Sequence, residues 1–322
     1  MLTEKEKLSR CHQAISPYIH RTPVMTSRLI DEEVGASVFF KCENFQRTGA
    51  YKMRGAVNAI LNLTEEQKQK GVVTHSSGNF AQALSLAAQS LNVPAYIVMP
   101  SNAPGVKKEA AKNYGGFIVQ CEPTLKAREI NARRIQNEKG ATFIHPSNND
   151  QVILGQGTAA MELFEDYPDL QALFVPIGGG GLAAGTCLAT KHFGRGCEVV
   201  GAEPEEADDA YRSLLSGKIE ENVTTHTIAD GLRTQLGDLN FPIIRKHIHQ
   251  IATVSEKEII SAMRLIWERM KLVVEPSSAV ALAALLKERD SYKDQQVGLI
   301  ISGGNVDLGN LPFTTTDGPT AK

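Results

Sequence analysis

The stretch LFVPIGGGGLAAG, residues 173–185, decides the fold: an apolar run is followed by four consecutive glycines and then by small residues. The apolar run predicts a buried strand, and the small residues after the glycines predict the start of a helix. Glycines between a strand and a helix let backbone N–H groups converge on an anion, which the positive end of the helix dipole also attracts. The stretch therefore predicts a phosphate-binding turn in an α/β protein, and it leaves open which phosphate is bound.

Short apolar runs alternate with helical patterns on both sides of this turn. The predicted strands are 37–43, 71–77, 95–100, 116–120, 141–146, 172–177, 197–204, 250–255 and 296–304. Because such alternation is typical of parallel strands connected by helices, we predict an α/β fold of two open, parallel-type sheets covered by helices. Residues 71–147 contain several strand-helix units, and we predict that they form a small domain inserted into a large domain of residues 1–70 and 148–322.

The composition bounds the partners of the chain. Its 322 residues include 34 basic and 36 acidic ones, and the net charge of −2 gives no reason to expect nucleic acid or an anionic membrane as a partner. The five cysteines form no CxxC motif, which favours reduced thiols over disulfides or a zinc site. Since the amino terminus is charged and no uncharged apolar stretch reaches the ~18 residues of a membrane span, we expect a cytoplasmic protein.

Two interpretations of the glycine turn are open at this point. Gly179, Gly181 and Gly185 spell GxGxxxG, and Glu203 follows about twenty residues later, where an acidic side chain binds the ribose of a dinucleotide. That pattern predicts an NAD(P)-dependent dehydrogenase, although the fingerprint normally follows the first strand of its domain. The second interpretation is a coenzyme with a single phosphate, which successive glycines would surround. No GxxxxGK[ST] motif is present, which argues against a nucleoside triphosphatase.

Three further loops carry reactive or polar residues. In TGAYKMRGA (48–56), Lys52 starts a predicted helix near Arg47 and Arg54, and these cations together with burial would lower its pKa enough for Schiff-base chemistry. HSSGN (75–79) offers hydroxyl and N–H donors for a substrate carboxylate, and SGGN ends the last predicted strand. Each loop alone has an ordinary explanation as a surface lysine, a helix N-cap or a turn.

Together with other segments, these loops resemble one family, in order and along nearly the whole chain. The matching segments are TGAYKMRGA, THSSGNFAQALSLAA, PAYIVMPSNAP, GQGTAAMEL, PIGGGGLAAG, GAEPEEADDAY, TIADGLR, WERMKLVVEPSSAVALAA and ISGGNVDL. They are similar to the pyridoxal-phosphate (PLP) enzymes of the serine racemase and serine/threonine dehydratase family, which have the second PLP fold type. The resemblance implies a serine racemase that also converts serine or threonine by β-elimination to a 2-oxo acid and ammonia.

The resemblance assigns the cofactor contacts. It implies that Lys52 binds PLP covalently and takes the substrate α-proton, that Asn79 hydrogen-bonds the ring hydroxyl, and that Ser302 faces the pyridine nitrogen. A serine hydroxyl is too weak an acid to protonate that nitrogen, so the ring would be a modest electron sink, which suits β-elimination. The implied phosphate cradle consists of Gly178, Gly179, Gly180, Gly181 and the N–H of Leu182.

The resemblance also assigns substrate and cation ligands. Ser76, Ser77 and Gly78 would hold the substrate carboxylate, and Ser77 would be the second acid–base group that racemisation requires. The family's divalent cation site, which takes Mg²⁺, Ca²⁺ or Mn²⁺ through hard oxygen ligands, corresponds to Glu203, Ala207 (by its carbonyl) and Asp209. The resemblance further implies a small amino-acid substrate and a homodimer. Nucleotide activation at a dimer interface is known in the family, and this sequence does not decide it.

The chain departs from the family pattern close to the predicted site. Phe80 stands where the family has His after SSGN, Tyr51 replaces the usual Phe before the lysine, and Ser147 stands where relatives carry Tyr or Asn. These changes leave the substrate preference open, and Arg233 could bind a second substrate carboxylate or form a surface ion pair. An L-threo-3-hydroxyaspartate dehydratase is therefore the alternative activity on the same scaffold. We expect no C-terminal regulatory domain, because the chain ends soon after SGGNVDLGNL.

Overall fold

The computed structural model describes residues 2–103 and 105–313. Its strands are β1 (Val24–Met25), β2 (Ser37–Cys42), β3 (Val72–His75), β4 (Ala95–Pro100), β5 (Phe117–Cys121), β6 (Thr142–Phe143), β7 (Ala172–Pro176), β8 (Glu198–Pro204), β9 (Gln250–Val254) and β10 (Gln296–Ile301). Its helices are α1 (Glu4–Ile15), α2 (Arg28–Val34), α3 (Lys52–Leu61), α4 (Glu65–Lys70), α5 (Asn79–Ser90), α6 (Gly105–Asn113), α7 (Leu125–Lys139), α8 (Asp150–Asp166), α9 (Gly181–Phe193), α10 (Asp209–Ser216), α11 (Phe241–His247), α12 (Glu256–Met270) and α13 (Pro276–Lys287). Met1, Pro104 and residues 314–322, which the predicted domains and motifs include, lie outside the described residues.

The strands form two open sheets. The larger sheet has the order β1-β2-β10-β7-β8-β9, and its neighbours are parallel except β1, which pairs antiparallel with β2. The smaller sheet has the order β5-β4-β3-β6 and is parallel throughout. The predicted α/β class with two open, parallel-type sheets covered by helices is confirmed.

Strand β7 lies inside the large sheet, and its position explains the unbroken apolar run before the glycines. All of its residues are buried, and Phe174 packs on one face of the sheet, where its ring lies 5.0 Å from that of Tyr292. Leu173 and Val175 belong to the core on the other face, with helices α8 and α9. A parallel strand covered on both faces needs apolar side chains on both, so the usual alternation is lost.

Helices α8 and α9 pack against each other at a pair of glycines. A Cβ on Gly185 would lie 2.4 Å from the carbonyl oxygen of Ile153 and 2.6 Å from the backbone nitrogen of Gly157. No side chain can approach a backbone so closely, so only glycine permits this contact. The third glycine of the GxGxxxG pattern is thereby explained by helix packing, without a dinucleotide.

The small sheet shares its core with two helices from the amino-terminal part of the chain. Val72 and Ile97 pack in one cluster with Ile15 of α1 and Met53 of α3. Helix α3 also packs against α8, which covers the large sheet. Helix α3 therefore lies between the two sheets, and Lys52 is its first residue.

The parallel strands bring several loops to one edge of the large sheet. β2, β10, β7 and β8 are parallel neighbours, so the loops that follow them meet at their carboxyl ends. In the small sheet, β6 is shorter than predicted: it contains Thr142 and Phe143, whereas the prediction extended to residue 146. The chain turns after Ile144, because the N–H groups of Ser147 and Asn148 donate to Nδ1 of His145, at 3.2 and 2.8 Å.

Candidate active site

Lys52 is held at the edge of the large sheet by backbone contacts before helix α3. The N–H of Tyr51 donates to the carbonyl of Ser302 at 3.0 Å, and Ala50 forms an isolated β-bridge with Gly303. The residues before the lysine are thus joined to those that follow β10. This brings together two of the predicted cofactor contacts, Lys52 and Ser302, which are 250 positions apart in the sequence.

The Lys52 amine lies in a largely apolar environment. Its Nζ donates to the carbonyl of Pro146 at 3.0 Å and lies 4.8 Å from the ring centre of Tyr51 and 5.9 Å from that of Phe80. Burial lowers the pKa of Lys52 from its ordinary 10.5 to about 8, and the negative charge of Glu275 opposes this shift. A substantial fraction of this amine is therefore neutral near pH 8, as a nucleophile or base requires.

The prediction that the charges of Arg47 and Arg54 help to lower this pKa is wrong. Arg54 is fully buried and directs its guanidinium to Glu43 and Glu162, with N···O distances of 2.8 Å. Its charge is thereby neutralised by these two carboxylates. Burial, with no contribution from these arginines, lowers the pKa of Lys52.

Asn79 is fixed by two side chains that the sequence analysis did not single out. Its Nδ2 donates to both carboxyl oxygens of Glu275, at 2.9 and 3.1 Å, and its Oδ1 accepts a hydrogen bond from Asn305 at 3.0 Å. Burial raises the pKa of Glu275 to about 7, and the charge of Asp230 adds to the shift. An acidic residue immediately before a proline and a long apolar helix, as in EPSSAVALAA, was the signal that could have indicated this buried carboxyl.

Ser302 is buried, and its hydroxyl lies 3.0 Å from the hydroxyl of Ser278. Ser278 in turn donates to the carbonyl of Gly303 at 2.6 Å and accepts from its N–H at 2.7 Å. Helix α13, which carries Ser278, thus sets the position of the Ser302 side chain. Ser278 lies in one of the segments that resemble the family, but no role was predicted for it.

The glycine turn carries a row of backbone donors without acceptors. Among the residues that the structure describes, no hydrogen-bond partner is found for the five N–H groups of residues 178–182, although all of these residues are buried or half-buried. Gly180 has φ +77°, the left-handed conformation that favours glycine, and helix α9 begins directly after it. Buried N–H groups are almost always paired, so this row at a helix N-terminus calls for an anion.

The glycine turn is joined to the lysine through residues 146–147 and one asparagine. Nδ2 of Asn240 donates to the carbonyl of Gly179 at 2.8 Å and lies 3.5 Å from that of Ser147. The preceding residue, Pro146, accepts the hydrogen bond from Lys52. Asn240 is fully buried, and the sequence analysis had missed it because nothing in the local pattern GDLNFP marks it.

The SSGN loop connects β3 to helix α5. Ser76, Ser77 and Gly78 are half-buried, and the N–H of Gly78 lies 3.3 Å from Oγ of Ser76.

Phe80 is buried in the core of the small sheet, so the departure from the family's histidine removes a polar group from the Lys52 surroundings. Burial also lowers the pKa of the nearby His145 to about 4, so this imidazole is neutral at physiological pH.

Of the three residues assigned to the cation site, Glu203 lies near the end of β8, and Ala207 and Asp209 follow that strand. The carboxyl of Glu203 accepts the N–H groups of Ala210 and Tyr211, at 3.1 and 2.8 Å, and Asp209 accepts the N–H of Leu236 at 2.9 Å. Burial, with the neighbouring Asp209, raises the pKa of Glu203 well above its ordinary value. In the described ranges 2–103 and 105–313, no group of three or more His, Cys, Asp or Glu side chains could hold a metal ion.

Arg233 is exposed and donates through Nε to the carbonyl of Thr227 at 3.1 Å. It forms no ion pair with any residue that the structure describes, so the surface ion pair, one of its two predicted roles, is not formed. Two of its guanidinium nitrogens, Nε and Nη2, are thus occupied by one backbone carbonyl.

The fold and the site define a class of protein. A half-buried lysine of lowered pKa and a glycine turn of unpaired N–H groups face the same edge of a parallel sheet, as in an enzyme whose phosphorylated carbonyl cofactor is linked to lysine. The chain belongs to the pyridoxal-phosphate dependent enzyme family, whose model matches residues 15–303.

Known proteins of this family are similar over almost the whole chain. Serine racemase of Dictyostelium discoideum is 50% identical over 94% of this chain and 95% of its own, and its crystal structure superimposes with a TM-score of 0.91. A beta-hydroxyaspartate dehydratase of Paracoccus denitrificans is 47% identical over 96% of this chain and 98% of its own. The crystal structure of a T.th. threonine deaminase is 43% identical over 94% of this chain and 98% of that one, with a TM-score of 0.88.

Proposed function

We propose that this PLP-dependent enzyme is a serine racemase that also dehydrates serine or threonine to a 2-oxo acid and ammonia. The observation that carries the proposal is the juxtaposition of the half-buried Lys52 amine with the five unpaired N–H groups of residues 178–182. The similarity to a serine racemase at 50% identity supports the choice of substrate. The donor set fits a phosphate dianion, because successive N–H groups and the start of helix α9 all favour negative charge.

Residues 178–182 would hold the phosphate, Lys52 would bind the cofactor covalently, and Asn79 and Ser302 would contact the ring. When bound, PLP supplies an electron sink for negative charge at the substrate Cα. Lys52 holds or takes the α-proton at Nζ, and its lowered pKa keeps this transfer close to neutral pH. The Ser302 hydroxyl, which lies 3.0 Å from that of Ser278, would face the ring nitrogen without giving up a proton to it, which suits elimination of the β-hydroxyl.

Ser76, Ser77 and the N–H of Gly78 would orient the substrate carboxylate at the start of helix α5. Ser77 would additionally exchange a proton with the second face of Cα, as racemisation requires. The half-burial of this loop supports a role that combines access for substrate with partial exclusion of water.

A divalent cation, Mg²⁺ or else Ca²⁺ or Mn²⁺, would be held by Glu203, the Ala207 carbonyl and Asp209. Oδ1 of Asp209 is buried and makes no hydrogen bond within the described residues. Two adjacent carboxyl groups with one uncommitted oxygen suit a hard cation, which would neutralise their charge. The cation would stabilise the loop after β8; no chemical step is assigned to it.

The second candidate function is L-threo-3-hydroxyaspartate dehydration, which the 47% identity to the Paracoccus protein favours. Arg233 would be the residue for the second carboxylate, although its hydrogen bonds to Thr227 would first have to break.

Several broader proposals accompany this function. The separation of β3–β6 from the large sheet supports a small domain of residues 71–147 inserted into a large domain of 1–70 and 148–322. The five cysteines are free, which supports a cytoplasmic location. No helix in the described part of the chain is long and apolar enough to cross a membrane.

We also propose a homodimer. Sedimentation tests it by comparing the measured mass with the chain mass of 35.0 kDa. Nucleotide activation would be tested on the same preparation.

A panel of substrates tests the function. L-serine, D-serine, L-threonine and L-threo-3-hydroxyaspartate are offered with and without Mg²⁺, and both the opposite enantiomer and the 2-oxo acid are measured. The protein should absorb visible light, lose this band on borohydride reduction, and lack it in Lys52→Ala. A colourless protein that binds NAD would contradict the proposal, and a preference for 3-hydroxyaspartate would favour the second candidate.

Substitution of Ser77 tests the assignment of racemisation. Ser77→Ala should abolish formation of D-serine from L-serine while formation of the 2-oxo acid continues, since only the second proton transfer is lost. Ser90→Ala, at the exposed end of helix α5, which follows the loop of Ser77, is the matched control and should keep both activities. If Ser77→Ala still produced D-serine, another group would have to serve the second face.

A further inference from the structure

A five-residue segment, Leu236–Asn240, connects the proposed cation site with the glycine turn. We call it the coupling segment. At one end, its Leu236 N–H donates to Oδ2 of Asp209 at 2.9 Å. At the other end, Nδ2 of Asn240 donates to the carbonyl of Gly179 at 2.8 Å. The segment therefore touches both sites through directional hydrogen bonds.

The contact made by Asn240 orients the glycine turn. In a trans peptide the C=O and the N–H point in opposite directions. Because the carbonyl of Gly179 is held by Asn240, the N–H of Gly180 in the same peptide is directed away from Asn240, where it joins the unpaired donors. The side chain of Leu236 packs beside the same turn: a Cβ on Gly180 would lie 2.5 Å from its Cδ2.

The coupling segment is braced by hydrogen bonds within itself and to Asn148. Oδ1 of Asn240 accepts the N–H of Gly237 at 3.0 Å, which closes the segment on itself. Asn148 makes two further hydrogen bonds to the segment: its side chain donates to Asp238 at 2.7 Å and accepts the N–H of Leu239 at 2.9 Å. Because of these three hydrogen bonds, a displacement of Leu236 would also move Asn240.

Asp209 is placed to sense a cation through its two oxygens. Oδ2 is bonded to the coupling segment, whereas Oδ1 is buried and accepts no hydrogen bond in the described part of the chain. A cation on Oδ1 would fix the carboxylate plane, and with it the position at which Leu236 is anchored.

We propose that the coupling segment makes cation binding at Asp209 and phosphate binding at residues 178–182 mutually favourable, with Asn240 as the positioning residue. This inference rests on the proposed function, since it takes the phosphate to be that of PLP. Linkage requires reciprocity: if the cation raises the affinity for PLP by some factor, PLP raises the affinity for the cation by the same factor. We expect a factor on the order of ten, within the usual range of such couplings.

The experiment measures binding and requires no turnover. PLP is titrated into the protein from which it has been removed, with and without saturating Ca²⁺, and its binding is measured by absorbance. In a second experiment, Ca²⁺ is titrated into the protein with and without PLP, and its binding is measured by calorimetry. The variants are Asn240→Ala, Asn240→Asp and Asp209→Asn. Asn240→Asp keeps the size and the acceptor for Gly237 but lacks the donor to Gly179, so it serves if Asn240→Ala does not fold. Gln235→Ala, an exposed neighbour of the segment, is the control.

In the wild type and in Gln235→Ala, Ca²⁺ should tighten PLP binding about tenfold, and PLP should tighten Ca²⁺ binding equally. The Asn240 variants should still bind Ca²⁺ but lose this mutual effect, and Asp209→Asn should lose the response to Ca²⁺. Equal PLP affinity with and without Ca²⁺ in the wild type, an undiminished factor in both Asn240 variants, or an intact response in Asp209→Asn would each overturn the coupling. A wild-type protein that binds no PLP overturns the proposed function itself.

Discussion

At the scale of single residues, the site depends on side chains whose ionisation is set by burial. Glu275 is 4% exposed, and its carboxylate receives both of its short contacts from the amide of Asn79. Lys52 could be identified from its motif, and burial accounts for its lowered pKa. Glu275 could not be identified in the same way, because a glutamate in a sequence carries no mark of whether the fold will desolvate it.

We predict that Glu275 makes the protein less stable as the pH rises. Its pKa is near the ordinary 4.5 when unfolded and about 7 when folded. Between these values the unfolded chain binds fewer protons than the folded one, so the free energy of unfolding falls with pH, by roughly 3 kcal/mol in total. Glu275→Gln removes this contribution and should gain stability relative to wild type from about pH 5 to pH 8, measured by urea unfolding.

The exposed Glu33 provides the control, because Glu33→Gln should leave the pH profile parallel to that of the wild type. Parallel profiles for Glu275→Gln as well would mean that Glu275 has an ordinary pKa in the folded protein.

At the scale of elements, the glycine turn shows what a local pattern can and cannot predict. The strand, the turn and the helix of residues 172–193 follow directly from the order of apolar, glycine and small residues. The segments that position this turn, 145–149 and 236–240, contain no comparable pattern. They act through contacts such as Asn240 to Gly179, which join residues 61 positions apart, and a local pattern carries no information about such pairs.

We predict that Gly180→Ala weakens PLP binding at least tenfold. The substitution combines a left-handed φ of +77° with a Cβ that would lie 2.5 Å from Leu236 and 2.7 Å from Asn240, so the turn must shift its N–H groups. Absorbance titration with PLP measures the effect. Gly196→Ala separates the two causes, because Gly196 has φ +87° but open space around its Cβ. That variant should lose some stability and keep its PLP affinity; an equal loss in both would refute a local effect on the turn.

At the scale of the whole molecule, a buried group of charges joins elements that are far apart in the sequence. Arg54 of α3 contacts Glu43 after β2 and Glu162 of α8, and Lys41 of β2 also contacts Glu162, at 2.7 Å. All four side chains are fully buried. The alternation of strands and helices predicted both sheets, but it gave no indication that these four charged side chains would be buried together. Only the folded chain reveals that two positive and two negative groups neutralise one another between α3, β2 and α8.

We predict that Arg54→Met destabilises the protein by about 3–5 kcal/mol, because it leaves Glu43 and Glu162 buried with too little positive charge. Urea unfolding at constant pH measures the loss. Arg28→Ala is the matched control: its pair with Glu32 is exposed, so its removal should cost less than about 1 kcal/mol. Since Lys52 lies two positions before Arg54 on α3, PLP affinity should fall together with stability. A variant as stable as the control would show that the buried charges are not what ties α3 to the large sheet.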